Sequence, residues 1–564
     1  MYKQPTERTA HNTWYEAVRH YTTRLVNIHS VSPSQEENRV AQEVLRLLSE
    51  DGLDRLYTAH GLDPIEGDLY GRHNAYALLR GESPRTLVLL GHIDTVGTSD
   101  YGVLERWALD PEGLAERLDT LVALTPQLQA DIVAHPDDWM FGRGVADMKS
   151  GVAVNIALIR RLAEQAQTGS LPLSCVFLAV CDEENESAGV LQAVHLLSRL
   201  RPEYGLEYVG AINTDYTTSL YPGDPHRYVY TGTIGKLLPS FLVIGRESHV
   251  GDPFNGVDAN LLAAELIRTL SMNDALCDSV RGQITAPPVT LKATDLKTHY
   301  DVQLPFMAYF YLNVLTFTTT PAQLLQRLCS LCKSALTSVL ASIDQAEQRW
   351  MQASGDRNPL QQLQSRSGVV LTYAHLYAET VQRLGEEQVQ QELAEEWERW
   401  PADLDKRERS LHLVHRLWTL SGRQGPAVVV YYAPPYYPHV AATPSALHDA
   451  VAAVIAAHPE LHLVQQEYFP LLSDLSYLRL DPDIDCAALS ANMPVWRESD
   501  APPRPGSYSL PLATIRELAL PVVDFGVYGR GAHQRGERVF MSYSFEILPQ
   551  LLYEVIERLE RMTS

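Results

Sequence analysis

Apolar residues along the first 230 or so positions follow two rhythms that take turns. Between Glu36 and Leu48 they recur at helical spacing (Val40, Val44, Leu45, Leu47, Leu48), which predicts an amphipathic helix. Asn74 to Leu79 and Thr86 to Leu90 are short β-rich runs and read as strands. Val152 to Leu162 then reads as a helix, Leu173 to Val180 as a strand, Val190 to Leu200 as a helix and Val209 to Ile212 as a strand. Such alternation implies a mainly parallel sheet covered by helices. Asp100 to Asp138 interrupts it and reads as a partly helical loop insertion.

The texture changes around Thr231-Gly232-Thr233-Ile234-Gly235. Leu237 to Ile244 and Phe306 to Thr316 are strand-like, and Leu261 to Leu270 is helical. Long helices are expected between Pro321 and Leu420, with Glu- and Gln-rich faces such as Glu386 to Glu398 that suit solvent. Ala427 to Tyr432 reads as a strand closing this region, ended by Ala433-Pro434-Pro435. After Pro438 the alternation resumes. Leu447 to Ala457 suits a helix, while Leu461 to Val464 and Leu520 to Phe525 suit strands. Phe545, Leu548, Leu552, Val555, Ile556 and Leu559 give an amphipathic C-terminal helix. The expected fold is α/β. Residues 1–233 and 438–564 form one domain around a mainly parallel sheet, and residues 234–437 form an inserted α+β lid enlarged by long helices.

Composition narrows the class. A chain of 564 residues is too long for one ordinary core. Hydrophobic content of 45% and charged content of 20% are those of a folded protein. A net charge of −23, from 46 Lys+Arg against 69 Asp+Glu, argues against nucleic acid or an anionic membrane as partner. The six cysteines (Cys175, Cys181, Cys277, Cys329, Cys332 and Cys486) are too sparse for a disulfide framework. Cys329 and Cys332 form a lone CxxC within a helical run, so they read as buried helix residues. The start of the chain, with Lys3, Glu7 and Arg8, lacks the apolar stretch of a signal peptide, and no run is long enough to span a bilayer. The expected location is a reducing cytoplasm.

The chemistry gathers where apolar runs end. His92 and Asp94 follow the strand Thr86 to Leu90, so a neutral imidazole there could bind a metal while the carboxylate orients it. Asp147 lies in a loop flanked by Gly142, Gly144 and Gly151, which let backbone approach a site closely. Glu183 and Glu184 follow Cys175 to Val180; one could bind a metal and the other act as general base. Asp215 follows Val209 to Ile212, and His533 follows Pro521 to Phe525. Each alone has an ordinary explanation: a loop histidine paired with a carboxylate, a helix N-cap, an acidic loop at a helix start. Together they form an oxygen/nitrogen set that suits two Zn²⁺ ions, with Mn²⁺ or Co²⁺ as alternatives. The residues alone do not divide that set between two ions.

The motifs His92-Ile93-Asp94, Gly142-Arg143-Gly144 through Asp147-Met148-Lys149, Asp182-Glu183-Glu184, Asp215 and Ala532-His533 resemble those of the aminoacylase/carboxypeptidase family of di-zinc exopeptidases and deacylases. Within it, Ala433-Pro434-Pro435-Tyr436-Tyr437-Pro438, Pro470 to Tyr477, Asn492 to Trp496 and Ser542 to Glu546 are similar to the RocB-type arginine-utilisation branch. The resemblance implies that His92 and Asp215 bind one zinc, that Glu184 and His533 bind the other, and that Asp147 bridges them. It further implies that Asp94 orients His92, that Glu183 is general base and acid, and that His249 is a lid histidine donating to the tetrahedral oxyanion. It also implies a homodimer formed through the lid.

This chain departs from the family at Ser150, where many relatives carry glycine, and at Asp215, where many carry glutamate. Ser473 to Tyr477 replaces a Gly-Gly-Thr-Asp type loop that helps hold substrate, and the lid is larger than usual. These departures leave the metal chemistry intact and the substrate open. The expected function is a di-zinc metallohydrolase that cleaves an amide bond in a small amino-acid derivative or short peptide, in arginine or amino-acid catabolism. Two rivals stand beside it. A serine hydrolase would need a Gly-x-Ser-x-Gly elbow after a strand, which is absent. A non-catalytic member of the fold would bind an amino acid or a protein instead.

Overall fold

A computed structural model of the chain describes residues 14–122, 126–135, 137–169, 171, 173–354, 366–482, 484, 486–498 and 504–562. Lys3, Glu7 and Arg8 lie outside the described residues. The chain divides into two compact units: Met1–Thr233 with Val440–Leu480 and Pro511–Ser564, and Ile234–His439 with Asp481–Leu510.

The first unit is built on an eight-stranded sheet. Its order is Ala59–Pro64, His73–Leu79, Ser174–Val180, Arg85–His92, Glu207–Asn213, Val522–Asp524, Arg227–Tyr230 and Leu463–Gln466. Arg85–His92 runs parallel to both neighbours, and Val522–Asp524 runs parallel to Glu207–Asn213. Leu463–Gln466 is parallel to Arg227–Tyr230, whereas the outer pair at the other edge is antiparallel. The sheet is mainly parallel at its centre, as the alternating pattern predicts. Every residue of Ser174–Val180 is buried, as expected of a strand covered on both faces. The helices Glu37–Ser49, Lys149–Thr168, Ala446–Ala457 and Leu548–Arg561 cover it with a shared apolar core that includes Val44, Leu87, Ile156, Phe177, Val451 and Leu552. Burying one such side chain contributes about 1.5–3 kcal/mol. The interruption after Asp100 consists of short helices, Pro111–Ala115, Leu118–Val122 and Pro126–Ala134, around a small core of Tyr101, Leu104, Leu114 and Leu128.

The second unit has a five-stranded sheet in the order Val289–Asp295, Met307–Thr316, Gly235–Ile244, Ala427–Tyr437 and Val369–Thr372. Its helices include Ala259–Leu270, the 34-residue Pro321–Ser354, and Tyr373–Leu384, Glu386–Glu398 and Lys406–Ser421. Cys332 is buried on Pro321–Ser354 and Cys329 is half-buried; neither is in a disulfide.

Two expectations need correction. Asp481–Leu510 belongs to the second unit, although the sequence reading placed all of 438–564 in the first. Its backbone explains why: the Asn492 carbonyl accepts from the Tyr432 N–H at 2.8 Å, and the Tyr508 hydroxyl accepts from the Tyr436 N–H at 3.1 Å. The strand Ala427–Tyr437 also continues through Pro434 and Pro435 instead of ending there. The prolines fall where the ladder to Gly235–Ile244 loses its register and where Val369–Thr372 no longer pairs, so no donor is missed. No helix among the described residues is long and apolar enough to cross a membrane.

Candidate metal centre

Three adjacent parallel strands bring their carboxyl ends to one edge of the first unit's sheet, where open α/β folds place ligands. His92 is the last residue of Arg85–His92 and pairs with Val180, so the loop carrying Glu183 and Glu184 starts beside it. On the other side Leu90 pairs with Asn213, which sets Asp215 two residues beyond the sheet. Asp147 comes from the loop that opens the helix Lys149–Thr168. Gly151, in the first turn of that helix, packs so tightly that a Cβ would meet the Thr214 carbonyl at 2.1 Å. Gly526 is as tight against the Asp215 carbonyl, at 1.5 Å. Gly151 presses the helix after Asp147 onto the segment bearing Asp215, Gly526 presses the end of Val522–Asp524 onto the same segment, and neither position would accept a side chain.

The side chains converge. His92 Nε2 lies 3.0 Å from Asp147 Oδ1, while His533 Nε2 lies 3.2 Å from Asp147 Oδ2. His533 Nε2 is also 3.0 Å from Glu184 Oε1, and His92 Nε2 is 4.0 Å from Glu183 Oε2. Asp94 is fully buried; its two oxygens accept the N–H groups of Glu183 and Glu184 at 3.1 and 3.0 Å, and Oδ1 lies 3.6 Å from His92 Nδ1. Asp215 accepts from the Tyr216 N–H at 2.6 Å and the Asn213 amide at 3.3 Å. His249 belongs to the second unit, where it is exposed and its Nδ1 accepts the Gly251 N–H at 3.0 Å.

Behind the Glu183 loop, Asp182 takes a left-handed backbone (φ 68°) and caps the turn, its Oδ2 accepting the Ala188 N–H at 3.1 Å. Buried Arg72 pairs with Asp182 and with Glu37, and Glu37 accepts the Asp182 N–H at 2.9 Å. That network fixes the loop from below.

Electrostatics favour added positive charge. Burial raises Glu183 well above the usual carboxyl range, and burial with the neighbouring Asp147 raises Glu184. Burial, then Asp147, pushes Asp215 up to about 7. Asp147 goes the other way: burial works to raise it, but hydrogen bonds from His533 and His92 hold it down. Contact with Asp147 and Glu184 lifts His533 to about 11. Crowded buried carboxyls repel one another until a cation sits among them. The donor set is oxygen and imidazole nitrogen, the kind divalent ions take. His92, Asp147 and Glu184 each offer a ligand atom, and these atoms lie within 4.8 Å of one another, close enough to share an ion.

Sequence reasoning assigned no role to three buried acids here. Asp474, at the start of the short helix Asp474–Tyr477, is 2% exposed and raised to about 8, chiefly by burial, with Asp94 and Asp215 adding to the shift. Asp524 ends the strand Val522–Asp524, and its Oδ1 accepts the Asp215 N–H at 3.2 Å. An acid closing an apolar run is the signal that picked out Asp215, and it applied to Asp524 equally. Glu537 is 1% exposed and accepts the N–H groups of Ala146 and Asp147. Arg143, set between Gly142 and Gly144, signalled that a counter-charge was needed, and Glu537 supplies it at 2.9 Å.

Comparison with known proteins shows the family of the chain. The chain is 32% identical over 547 residues to YqjN of Bacillus subtilis, an uncharacterized protein, covering 95% of each chain. It is 31% identical over 559 residues to the protein RocB of Bacillus subtilis, covering 97% of this chain and 95% of RocB. Over 248 residues it is 28% identical to acetylornithine deacetylase of Proteus mirabilis, covering 44% of this chain and 53% of that enzyme. Residues 88–489, which hold all the candidate ligands except His533, match the model of the peptidase family M20/M25/M40. The chain belongs to that family and is a peptidase or amidohydrolase of the metallopeptidase type.

Proposed function

We propose that the chain hydrolyses an amide bond in a small amino-acid derivative or short peptide, using two divalent ions, zinc in the first instance. The observation that carries this reading is Asp147, whose two oxygens each face a different histidine. His92 and Asp215 would hold one ion, Glu184 and His533 the other, with Asp147 shared between them. When bound, such ions supply Lewis acidity to the scissile carbonyl and lower the pKa of a water.

The chain's own groups do the rest. Glu183 takes a proton from the attacking water and delivers it to the leaving amine, so that a C–O bond forms as the C–N bond breaks. Burial raises the Glu183 carboxyl, which suits a group that must both accept and return a proton. Asp94 holds Glu183 and Glu184 through their backbone N–H groups while facing the far side of the His92 ring. The reading extends, on the family resemblance, to His249 as a donor to the oxyanion and to the second unit, Ile234–His439 with Asp481–Leu510, as a lid through which two chains pair. The relative named acetylornithine deacetylase favours an amino-acid amide, and the resemblance to the RocB-type arginine-utilisation branch puts arginine-related compounds first among those to try.

The test is a Glu183→Gln chain assayed with N-acyl amino acids, including N-acylated ornithine and arginine, and with dipeptides. Turnover should fall by about 10²–10⁴-fold, the usual worth of a positioned general base, while metal content by elemental analysis is unchanged. Near-full activity in Glu183→Gln would remove Glu183 from the mechanism.

A further inference from the structure

Asp147 and His533 lie almost four hundred positions apart, and their own contact through Nε2 and Oδ2 spans 3.2 Å. Neither side chain fixes the backbone of the other's loop. A single side chain four positions after His533 does. Glu537 Oε1 accepts the N–H of Ala146 at 3.1 Å and that of Asp147 at 3.2 Å, and its backbone carbonyl accepts the N–H of Gly142 at 3.2 Å. Its Oε2 accepts from Arg143 Nη1 at 2.9 Å. On its own side of the junction, the Glu537 N–H donates to the Gln534 carbonyl at 3.0 Å and closes the turn that carries His533. The next residue, Arg538, pairs with Phe141 in the three-stranded sheet.

Arg143 anchors the far end. It is 1% exposed, its Nη2 donates to both oxygens of Asp100 at 2.8 and 2.9 Å, and its Nε donates to the Gly97 carbonyl at 3.1 Å. A carboxylate that accepts two backbone N–H groups and a guanidinium has little freedom, because losing any one partner strands a buried acceptor or donor.

We infer that Glu537 is a positioning residue which clamps the Asp147 loop to the His533 loop and thereby sets the spacing between the two halves of the metal centre. This inference rests on the two-ion reading above. Its distinctive consequence is asymmetric. Asp147 is still held toward His92, which is anchored in the sheet, when Glu537 is lost. His533 is held less directly, on a loop whose ends are paired as Gly529–Arg530 with Arg538–Phe540 but which lies outside the sheet that holds His92.

The test uses the full chain, stripped of metal and titrated with Zn²⁺ against a competing chelator, in wild-type, Glu537→Gln and Glu537→Ala forms. Wild type should take up two ions. Glu537→Ala should keep the tighter uptake unchanged and weaken the second by about 10–100-fold, the usual effect of removing a partner behind the ligands. Glu537→Gln, of nearly the same shape, should fall between, since one amide end must face either Arg143 or the two N–H groups with a donor. Thermal unfolding of the metal-free forms reports stability separately. If both variants bind two ions as tightly as wild type and only unfold earlier, Glu537 is structural and the inference fails. A wild-type chain that takes up fewer than two ions overturns the two-ion reading and the clamp with it.

Discussion

The two histidines that face Asp147 are held in opposite ways. His92 closes a central strand, is 2% exposed, and has Asp94 behind its ring. His533 sits on a loop, half exposed, with a left-handed backbone at φ 61°. That conformation costs a non-glycine residue about 1–3 kcal/mol and persists only where surrounding contacts impose it. One imidazole is positioned by the core of the fold; the other is positioned by a turn and by Glu537. Precision at a metal centre therefore need not come from burial alone. It can be imposed on an exposed side chain through the backbone beneath it.

The strongest way to break the contrast is to remove what both histidines share. Asp147→Ala should abolish uptake of both ions and reduce turnover to background, read by elemental analysis and amide hydrolysis. Uptake of two ions by that variant would mean that Asp147 is not the shared ligand. A sharper cut replaces each histidine by alanine and follows unfolding of the metal-free chain by calorimetry. His92→Ala should destabilise by about 1–3 kcal/mol, because it strands buried acceptors. His533→Ala should change stability by no more than about 1 kcal/mol, as its contacts with Asp147 and Glu184 are solvent-screened. Equal losses would show that the two rings are held alike.

The gentlest probe is the proton. In the metal-free chain His533 is raised to about 11 and Asp215 to about 7, so both carry protons to a large extent at pH 7. A cation must displace those protons, so uptake at pH 7 should release them, and affinity should fall as pH is lowered. Titration calorimetry in buffers of different ionisation enthalpy measures the release. No net release would contradict the raised values. With His533→Ala the release should shrink, because the ring with the larger shift is gone.

Much of the first unit was legible from hydrophobic rhythm. The strands Arg85–His92, Ser174–Val180 and Glu207–Asn213 lie where continuous apolar runs placed them, within a residue or two. Such runs are the mark of strands buried on both faces. The edge strand Ala59–Pro64 and the short inner strand Arg227–Tyr230 escaped notice. The sequence of the first, Ala-His-Gly-Leu-Asp-Pro, has no run to see because an edge strand need bury little. The excursion of Asp481–Leu510 into the second unit was invisible because nothing local marks it; it is held by backbone bonds to distant residues. At the site, His92, Asp147, Glu184 and His533 were found by their places beyond strands or before a helix. Glu537 and Asp474 were not assigned, since a buried acid in a polar loop looks like a surface one until its partners are known.

The sheet of the first unit is interleaved in a way that matters while the polypeptide is being made. Val522–Asp524 lies between Glu207–Asn213 and Arg227–Tyr230, so the sheet has a gap until the last tenth of the chain has emerged. Roughly 300 residues separate Asp215 from His533, which at ribosomal speed is about 15–60 s. For that interval the nascent protein presents His92, Asp147, Glu184 and Asp215 without His533, beside an unfilled strand position. The finished centre can close only once translation is nearly over.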